Sequence, residues 1–129
     1  MHLKDFDSWN MRKQHLNLIG KNDPYNIREI WWCSLGVNIG FEEDGDGIRA
    51  ERPVVILRGF SKQLCWVVPL TSSLKINRYY HRVGNVVGRE ASAIVSQFRP
   101  VDTKRLTNLI GRMDDASFES MRKAIKDLL

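Results

Sequence analysis

The sequence predicts a single β-rich α+β domain with one helix near each end of the chain. Short apolar runs rich in β-branched and aromatic residues, bounded by turn residues, recur through its middle. Helical periodicity of apolar residues occurs only near the two termini. The chain has 129 residues, of which 43% are hydrophobic and 27% charged, enough for one domain with a real core but not for a second enzyme domain.

Residues 5–19 are predicted to form an N-terminal helix that ends at Gly20. Its apolar residues recur at near-helical spacing and are Phe6, Trp9, Leu16 and Ile19. With a polar linker, this segment makes an extension over 1–27 that precedes the main domain, 28–129. The extension could pack on the sheet, on a second subunit or over the site, and core packing is the preferred interpretation.

The first predicted strand is Glu29–Leu35, followed by a loop over 36–50 rich in glycine and acidic residues. We expect that loop to be exposed. The runs Val54–Leu57 and Leu64–Val68 then flank a short turn-like segment, which predicts a β-hairpin.

The second half of the chain continues the sheet. Tyr79–Val83 is a predicted strand that turns through Gly84-Asn85 and Gly88 into a strand over Ser92–Phe98. Asp102 is placed to cap a single helical turn, and a last strand covers 107–111.

The C-terminal helix is predicted to begin at Asp114 or Asp115, either of which could serve as its N-cap. Its apolar stripe is Phe118, Met121, Ile125 and Leu128. We expect that stripe to serve core or dimer packing.

The net charge is +5, and its distribution is uneven. No acidic residue lies between Arg52 and Arg89, whereas acidic residues crowd the loop before Arg52. Seven basic residues occupy this acid-free segment: Arg52, Arg58, Lys62, Lys75, Arg78, Arg82 and Arg89. Such a segment indicates a cationic surface that gathers phosphates, although an ordinary solvated sheet face has the same composition.

Two cysteines, Cys33 and Cys65, each fall inside an apolar run, away from any Cys/His spacing typical of zinc. Free buried thiols are predicted, and a disulfide between neighbouring strands stays open as the alternative. No apolar stretch approaches the length of a membrane span, and the first residues lack the apolar core of a secretion signal. We therefore expect a cytoplasmic protein without membrane contact.

Two short motifs lie at the edges of the hairpin runs. Arg52-Pro53 precedes the first run, and a Pro-Leu-Thr-Ser-Ser segment with Thr71 at its centre follows the second. A hairpin brings Arg52 and Thr71 together at its open end, and a guanidinium beside a hydroxyl suits a phosphodiester. The alternatives are a salt bridge from Arg52 to Glu51 or Glu42, and an ordinary strand hydroxyl for Thr71.

In their order and spacing, these motifs make the chain resemble the MazF/PemK toxins of bacterial toxin–antitoxin systems over about Arg28 to Leu129. The matching motifs are Glu29–Leu35, Gly40-Phe41-Glu42, Glu51–Leu57, Val68–Ser72, Ala93–Arg99, Asp102–Leu106 and the final helix. The resemblance implies a small SH3-like β-barrel of the MazF/PemK/CcdB type. It also implies a homodimer with an RNA groove across its interface, and a cognate antitoxin that inserts an acidic peptide and binds DNA within the complex.

The activity implied by the resemblance is sequence-selective cleavage of single-stranded RNA without a metal or other cofactor. The products are a 2′,3′-cyclic phosphate and a 5′-OH. Arg52 and Thr71 match the catalytic arginine and threonine of the family, and Arg52 suits stabilisation of transition-state charge. A non-catalytic RNA- or protein-binding module and a gyrase-directed toxin on the same barrel remain alternative interpretations.

Other residues are assigned supporting roles. Glu42, Ser72 and His81 are candidates for support of the active site. The candidates for RNA contact are Lys75, Arg78, Tyr79 and Arg82, and strand alternation puts at most one of Tyr79 and Tyr80 on the groove side. Gln97 matches a family glutamine with a structural or dimer-contact role.

Overall fold

The computed structural model describes residues 21–36 and 51–129, together with Asp7, Met11 and Lys13. Apart from these three residues, the predicted N-terminal helix over 5–19 lies outside the described residues, as do residues 37–50 of the acidic loop, including Glu42.

Apart from the short strand Arg99–Asp102, which was not predicted, the seven strands and one α-helix in this part of the chain follow the predicted order. They are β1 (Glu29–Ser34), β2 (Glu51–Gly59), β3 (Leu64–Thr71), β4 (Tyr80–Val86), β5 (Arg89–Ile94), β6 (Arg99–Asp102), β7 (Leu106–Arg112) and α1 (Asp115–Leu128). No helix in the described ranges is long and apolar enough to cross a membrane.

The strands form a strongly curled, antiparallel half-barrel sheet in the order β4-β5-β3-β2-β1-β7, and β6 pairs with β3. Strand β3 is paired along both its edges. β2 lies along one edge, while β5 covers its C-terminal end and β6 its N-terminal end on the other. Strands β2 and β3 therefore lie at the centre of the sheet.

Side chains alternate between two faces of this sheet, and each face carries its own apolar cluster. One cluster joins Ile30, Val55 and Val68 to the buried side of α1. The other joins Trp31, Val54 and its neighbours on the opposite face without the helix. We call these the helix face and the open face.

The prediction of a strand over Ser92–Phe98 has the wrong bounds. β5 begins at Arg89 and ends at Ile94, and a 3-10 turn over Val95–Gln97 separates it from β6. Val95 is buried in the helix-face cluster, and its N–H donates to the Tyr79 carbonyl. This break lets the chain pass from one end of β3 to the other.

The turn between β4 and β5 also differs from the prediction, because Gly84-Asn85 lies within β4. Val87 and Gly88 form the turn and both have positive φ, as a tight two-residue hairpin of this kind requires. Gly84, with φ of 92°, instead lies at a register shift in β4, where a β-bulge needs a residue without a Cβ.

The linker before β1 is fixed to the sheet by side-chain contacts. The Tyr25 hydroxyl donates to the Ser61 carbonyl at 2.6 Å, across the β2–β3 turn. A Cβ at Gly59 would lie 2.7 Å from the Tyr25 hydroxyl, so a larger residue there would have to displace the Tyr25 ring. The Asn22 amide reaches Thr103 Oγ1 at 2.7 Å.

Helix α1 begins where the sequence predicted. The Asp114 carboxylate accepts from the Ser117 N–H at 3.0 Å, which caps the helix and lowers the pKa of Asp114. Phe118, Met121 and Ile125 are buried against the helix face of the sheet, and Leu128 packs at the edge of the same cluster. The stripe is thus used for packing within the chain.

Replacing Phe118, which is 2% exposed, tests this packing. Phe118→Ala is expected to lower the free energy of unfolding by about 3–5 kcal/mol, because it leaves a cavity between α1 and the sheet. Chemical denaturation would measure the change, with the exposed neighbour Glu119→Ala as the control. Equal stability of the two variants would contradict the assigned core.

Candidate active site

Arg52 and Thr71 lie opposite each other on adjacent strands. The β2–β3 register pairs Val54 with Pro69 and Val55 with Val68, and continuing it by two residues places Arg52 opposite Thr71. The Arg52 Nη1 atom donates to the Leu70 carbonyl at 3.1 Å, so its side chain crosses to β3 beside Thr71. The structure thereby brings together the two residues that the sequence singled out.

The same line of neighbours continues across the next two strands. Thr71 pairs with Ser92 on β5, and Ser92 pairs with Arg82 on β4. Directly opposite residues in an antiparallel sheet project to the same face. Arg52, Thr71, Ser92 and Arg82 therefore form a row on the open face, which we call the polar row.

Thr71 is held in a defined conformation at the end of β3. Its Oγ1 atom accepts from the Ser73 N–H at 3.1 Å, a turn-forming contact of the kind that hydroxyl side chains make. Because a hydroxyl both donates and accepts, its proton remains available to a ligand. Ser72 follows at an exposed bend next to this hydroxyl.

Aromatic and basic side chains border the row on the segment that leads into β4. The Arg78 guanidinium lies 5.0 Å from the centre of the Tyr79 ring and donates to its hydroxyl at 2.9 Å. The Lys75 ammonium lies 5.4 Å from the centre of the Tyr80 ring. These cations and rings provide charge and stacking surfaces at one border of the polar row.

Register separates the two tyrosines. Tyr80 pairs with Ile94 and lies two residues before Arg82, so it shares the open face with the polar row. Tyr79 is exposed in the turn before β4. The sequence analysis selected Tyr79 as the RNA contact, and Tyr80 is an additional candidate that only the strand register assigns to this face.

Two other candidates lie apart from the row. His81 pairs with Ala93 on the helix face, and its Nε2 lies 2.9 Å from Ser120 Oγ on α1. Gln97 is half-buried in the 3-10 turn that follows β5. We therefore do not group His81 with Arg52 and Thr71, and the sequence had no signal for the contact with Ser120.

A family model described as a PemK-like, MazF-like toxin of type II toxin-antitoxin systems matches residues 26–129. The chain belongs to this family. No curated protein matches the chain at a significant level.

Solved structures of this toxin family share its fold at low sequence identity. MazF from Deinococcus radiodurans is 15% identical, with a TM-score of 0.67 over 81% of this chain and 94% of its own. The Mycobacterium tuberculosis toxin MazF-mt6 is 17% identical, with a TM-score of 0.61 over 78% and 94% of the two chains. An endoribonuclease in complex with its cognate antitoxin, from a mycobacterial species, is 11% identical, with a TM-score of 0.60 over 81% and 93%.

Both cysteines of this toxin are free and buried. Burial raises the pKa of the Cys33 thiol and that of the Cys65 thiol to about 12. Cys33 pairs with Arg52 and so extends the polar row into β1, but as a protonated thiol without nucleophilic character. In the described part of the chain, no group of three or more His, Cys, Asp or Glu residues is arranged to hold a metal ion.

Arg105 is a further cation that the sequence analysis did not select. It immediately precedes Leu106, which pairs with Cys33, and its Nη1 donates to the Ser34 carbonyl at 3.2 Å. Burial lowers the pKa of Arg105 from its ordinary value. Its guanidinium therefore adds positive potential beside the β1 end of the polar row.

The raised thiol pKa values predict that iodoacetamide labels the native protein very slowly at pH 8. Both thiols stay protonated there, and access to them is blocked. Labelling followed by mass spectrometry should become fast and complete in concentrated urea. Rapid labelling of the native protein would contradict the burial of Cys33 and Cys65.

Proposed function

We propose that this toxin is a sequence-selective endoribonuclease that cuts single-stranded RNA, with Arg52 and Thr71 at the scissile phosphate. The placement of this pair on neighbouring central strands supports the proposal. A half-buried guanidinium that reaches across to a hydroxyl-bearing strand end provides donors for the oxygens of a single phosphate.

RNA carries its own nucleophile, because the ribose 2′-OH lies next to the phosphorus. The enzyme has to align this hydroxyl with the departing 5′-oxygen and to stabilise the charge that accumulates on the phosphoryl oxygens. The 2′-hydroxyl gives up its proton to solvent as its oxygen forms a bond to phosphorus, and the departing 5′-oxygen takes up a proton from solvent as its bond to phosphorus breaks. The products are a 2′,3′-cyclic phosphate and a 5′-OH, and the proposed step uses no metal.

Arg52 is assigned to charge stabilisation. A guanidinium stays protonated at neutral pH and presents a planar set of N–H donors that matches two phosphate oxygens. Thr71 donates to a non-bridging oxygen, with its orientation set by the Ser73 N–H. Ser72, exposed next to Thr71, keeps its expected role in support of the active site. Glu42 keeps its expected supporting role as a proposal from the family resemblance alone.

The RNA strand is proposed to run along the border of the polar row. Lys75, Arg78 and Arg82 are exposed and contribute backbone phosphate contacts. Tyr80, beside Lys75, offers a ring for base stacking on the face of the polar row. Tyr79, exposed in the turn beside Arg78, keeps its expected RNA contact as a proposal from the sequence. Phosphate contacts and base stacking provide affinity, and hydrogen bonds to the edges of the stacked bases would give the sequence preference.

The partner proposed for this toxin is a cognate antitoxin with an acidic, partly disordered segment. A solved relative, the MazE–MazF complex of Deinococcus radiodurans, pairs such a fold with an antitoxin. On this chain the cationic border of the polar row would attract acidic side chains and thereby exclude RNA phosphates. A homodimer with a groove across its interface, and DNA binding by the toxin–antitoxin complex, belong to the same proposal.

The alternative of a gyrase-directed toxin predicts that the C-terminal helix, and not Arg52 and Thr71, carries the function. Helix α1 is an ordinary amphipathic helix whose apolar side packs against the sheet, so no observation on it favours this alternative. We therefore retain the ribonuclease as the function that the site geometry supports best.

The test is to incubate purified protein with a long single-stranded RNA in excess EDTA and to map the new termini. Arg52→Ala is expected to lower the cleavage rate by about 10²- to 10³-fold, because one donor to the developing charge is lost. Arg52→Lys should restore only part of the lost cleavage rate, since an ammonium group lacks the planar set of N–H donors of a guanidinium.

Arg112→Ala is the matched control. It removes the same charge from an exposed residue at the end of β7 away from the polar row, and cleavage should be unchanged. Intact but bound RNA would overturn the ribonuclease proposal in favour of a binding module. Equal cleavage rates for Arg52→Ala and wild type would show that Arg52 does not take part in catalysis.

A further inference from the structure

Ser92 has an unusual environment for a polar side chain. It is completely buried, and its Oγ atom has no hydrogen-bond partner. Within the described part of the chain it is the single buried side-chain nitrogen or oxygen of this kind. A buried hydroxyl without a partner destabilises the folded state, so an alanine at this position would be the more stable choice.

Ser92 lies inside the candidate site. It occupies the polar row between Thr71 and Arg82, directly opposite each of them. Its side chain is the shortest of the row, so its hydroxyl is recessed between longer neighbours. Adjacent positions on β5 project to the helix face, where Ala91 and Ala93 join the apolar cluster. The hydroxyl therefore belongs to the open face, where Arg52 and Thr71 are.

The spacing of opposite residues lets Ser92 and Thr71 share a ligand atom. Directly opposite Cβ atoms lie about 4.5–5.5 Å apart, and a hydroxyl hydrogen bond spans about 2.7 Å between oxygens. A single acceptor oxygen between the two side chains can thus receive both protons. Thr71 already accepts from the Ser73 N–H, which leaves its own proton for this purpose.

The charges on the row define the chemistry of that acceptor. Guanidinium groups belong to the row on both sides of the two hydroxyls, Arg52 on β2 and Arg82 on β4. An anion with several acceptor oxygens and no donors satisfies all four residues. A phosphodiester group has this composition.

We propose that Ser92 is a third phosphate-binding residue, whose hydroxyl donates to the non-bridging oxygen that Thr71 also contacts. This inference rests on the proposed ribonuclease site and adds a residue to it. The bound phosphate supplies the hydrogen-bond partner that Ser92 lacks in the free protein. The unpartnered Ser92 hydroxyl therefore destabilises the free protein, and its hydrogen bond to the phosphate offsets this loss when RNA is bound.

The consequence is an opposite effect of one substitution on stability and on activity. Ser92→Ala removes the hydroxyl and keeps the Cβ, so the melting temperature should stay equal or rise. Cleavage should fall about tenfold or more, since a donor to a charged oxygen is lost. Affinity for RNA should fall in the same direction. A hydroxyl with a purely structural role would not separate these quantities.

The experiment compares wild type, Ser92→Ala and the control Ser96→Ala, an exposed serine in the turn after β5. Three quantities are measured: the melting temperature, the cleavage rate of a single-stranded RNA, and the affinity by fluorescence anisotropy for the same sequence made uncleavable with 2′-deoxyribose. The proposal expects only Ser92→Ala to lose cleavage and affinity, without loss of melting temperature.

Two results would overturn the proposal: wild-type cleavage and affinity in Ser92→Ala, or a lower melting temperature in parallel with lower activity. Failure of the proposed function is recognised separately, because the wild type would then leave the RNA intact. The affinity comparison still decides the role of Ser92 in that case. A wild type that neither cuts nor binds the oligonucleotide would overturn both proposals.

Discussion

The pairing of β2 with β3 is the constraint on which the site depends. Its register fixes which side chains share a face, so a slip by one residue would move Arg52 away from Thr71 and exchange the side chains that the strand contributes to the two apolar clusters. Burial of Val54, Val55 and Val68 on the two faces makes such a slip costly. The hydrophobic pattern of these strands therefore positions the polar pair.

The sheet uses its two faces differently. The helix face is closed by α1 and holds an apolar core, and His81 on this face contacts Ser120 of α1. The open face carries the polar row, where Ser92 has no partner in the described part of the chain and Arg52 reaches across to β3. A fold that tolerates an unsatisfied hydroxyl on one face only is consistent with a ligand site there.

Local sequence signals predicted the elements well where one physical cause dominates. Continuous apolar runs rich in β-branched and aromatic residues predicted β2 and β3, and the capping carboxylate of Asp114 predicted the start of α1. The end of β5 was not predictable, because the buried contacts of Val95 with distant residues break the strand.

For the site, the pair Arg52 and Thr71 followed from two short motifs at adjacent strand ends. The faces of Tyr80 and His81, and the burial of Ser92, depend on the β4–β5 register and could not be read from residue types. The SH3-like barrel and the N-terminal helix stay predictions.

A double-mutant cycle tests most directly whether Arg52 and Thr71 act on one phosphate. Arg52→Ala and Thr71→Val are made separately and together, and kcat/KM for RNA cleavage is measured for each variant. The account predicts that the effect of the double variant departs from the sum of the single effects by more than about 0.5 kcal/mol. Strict additivity would contradict it.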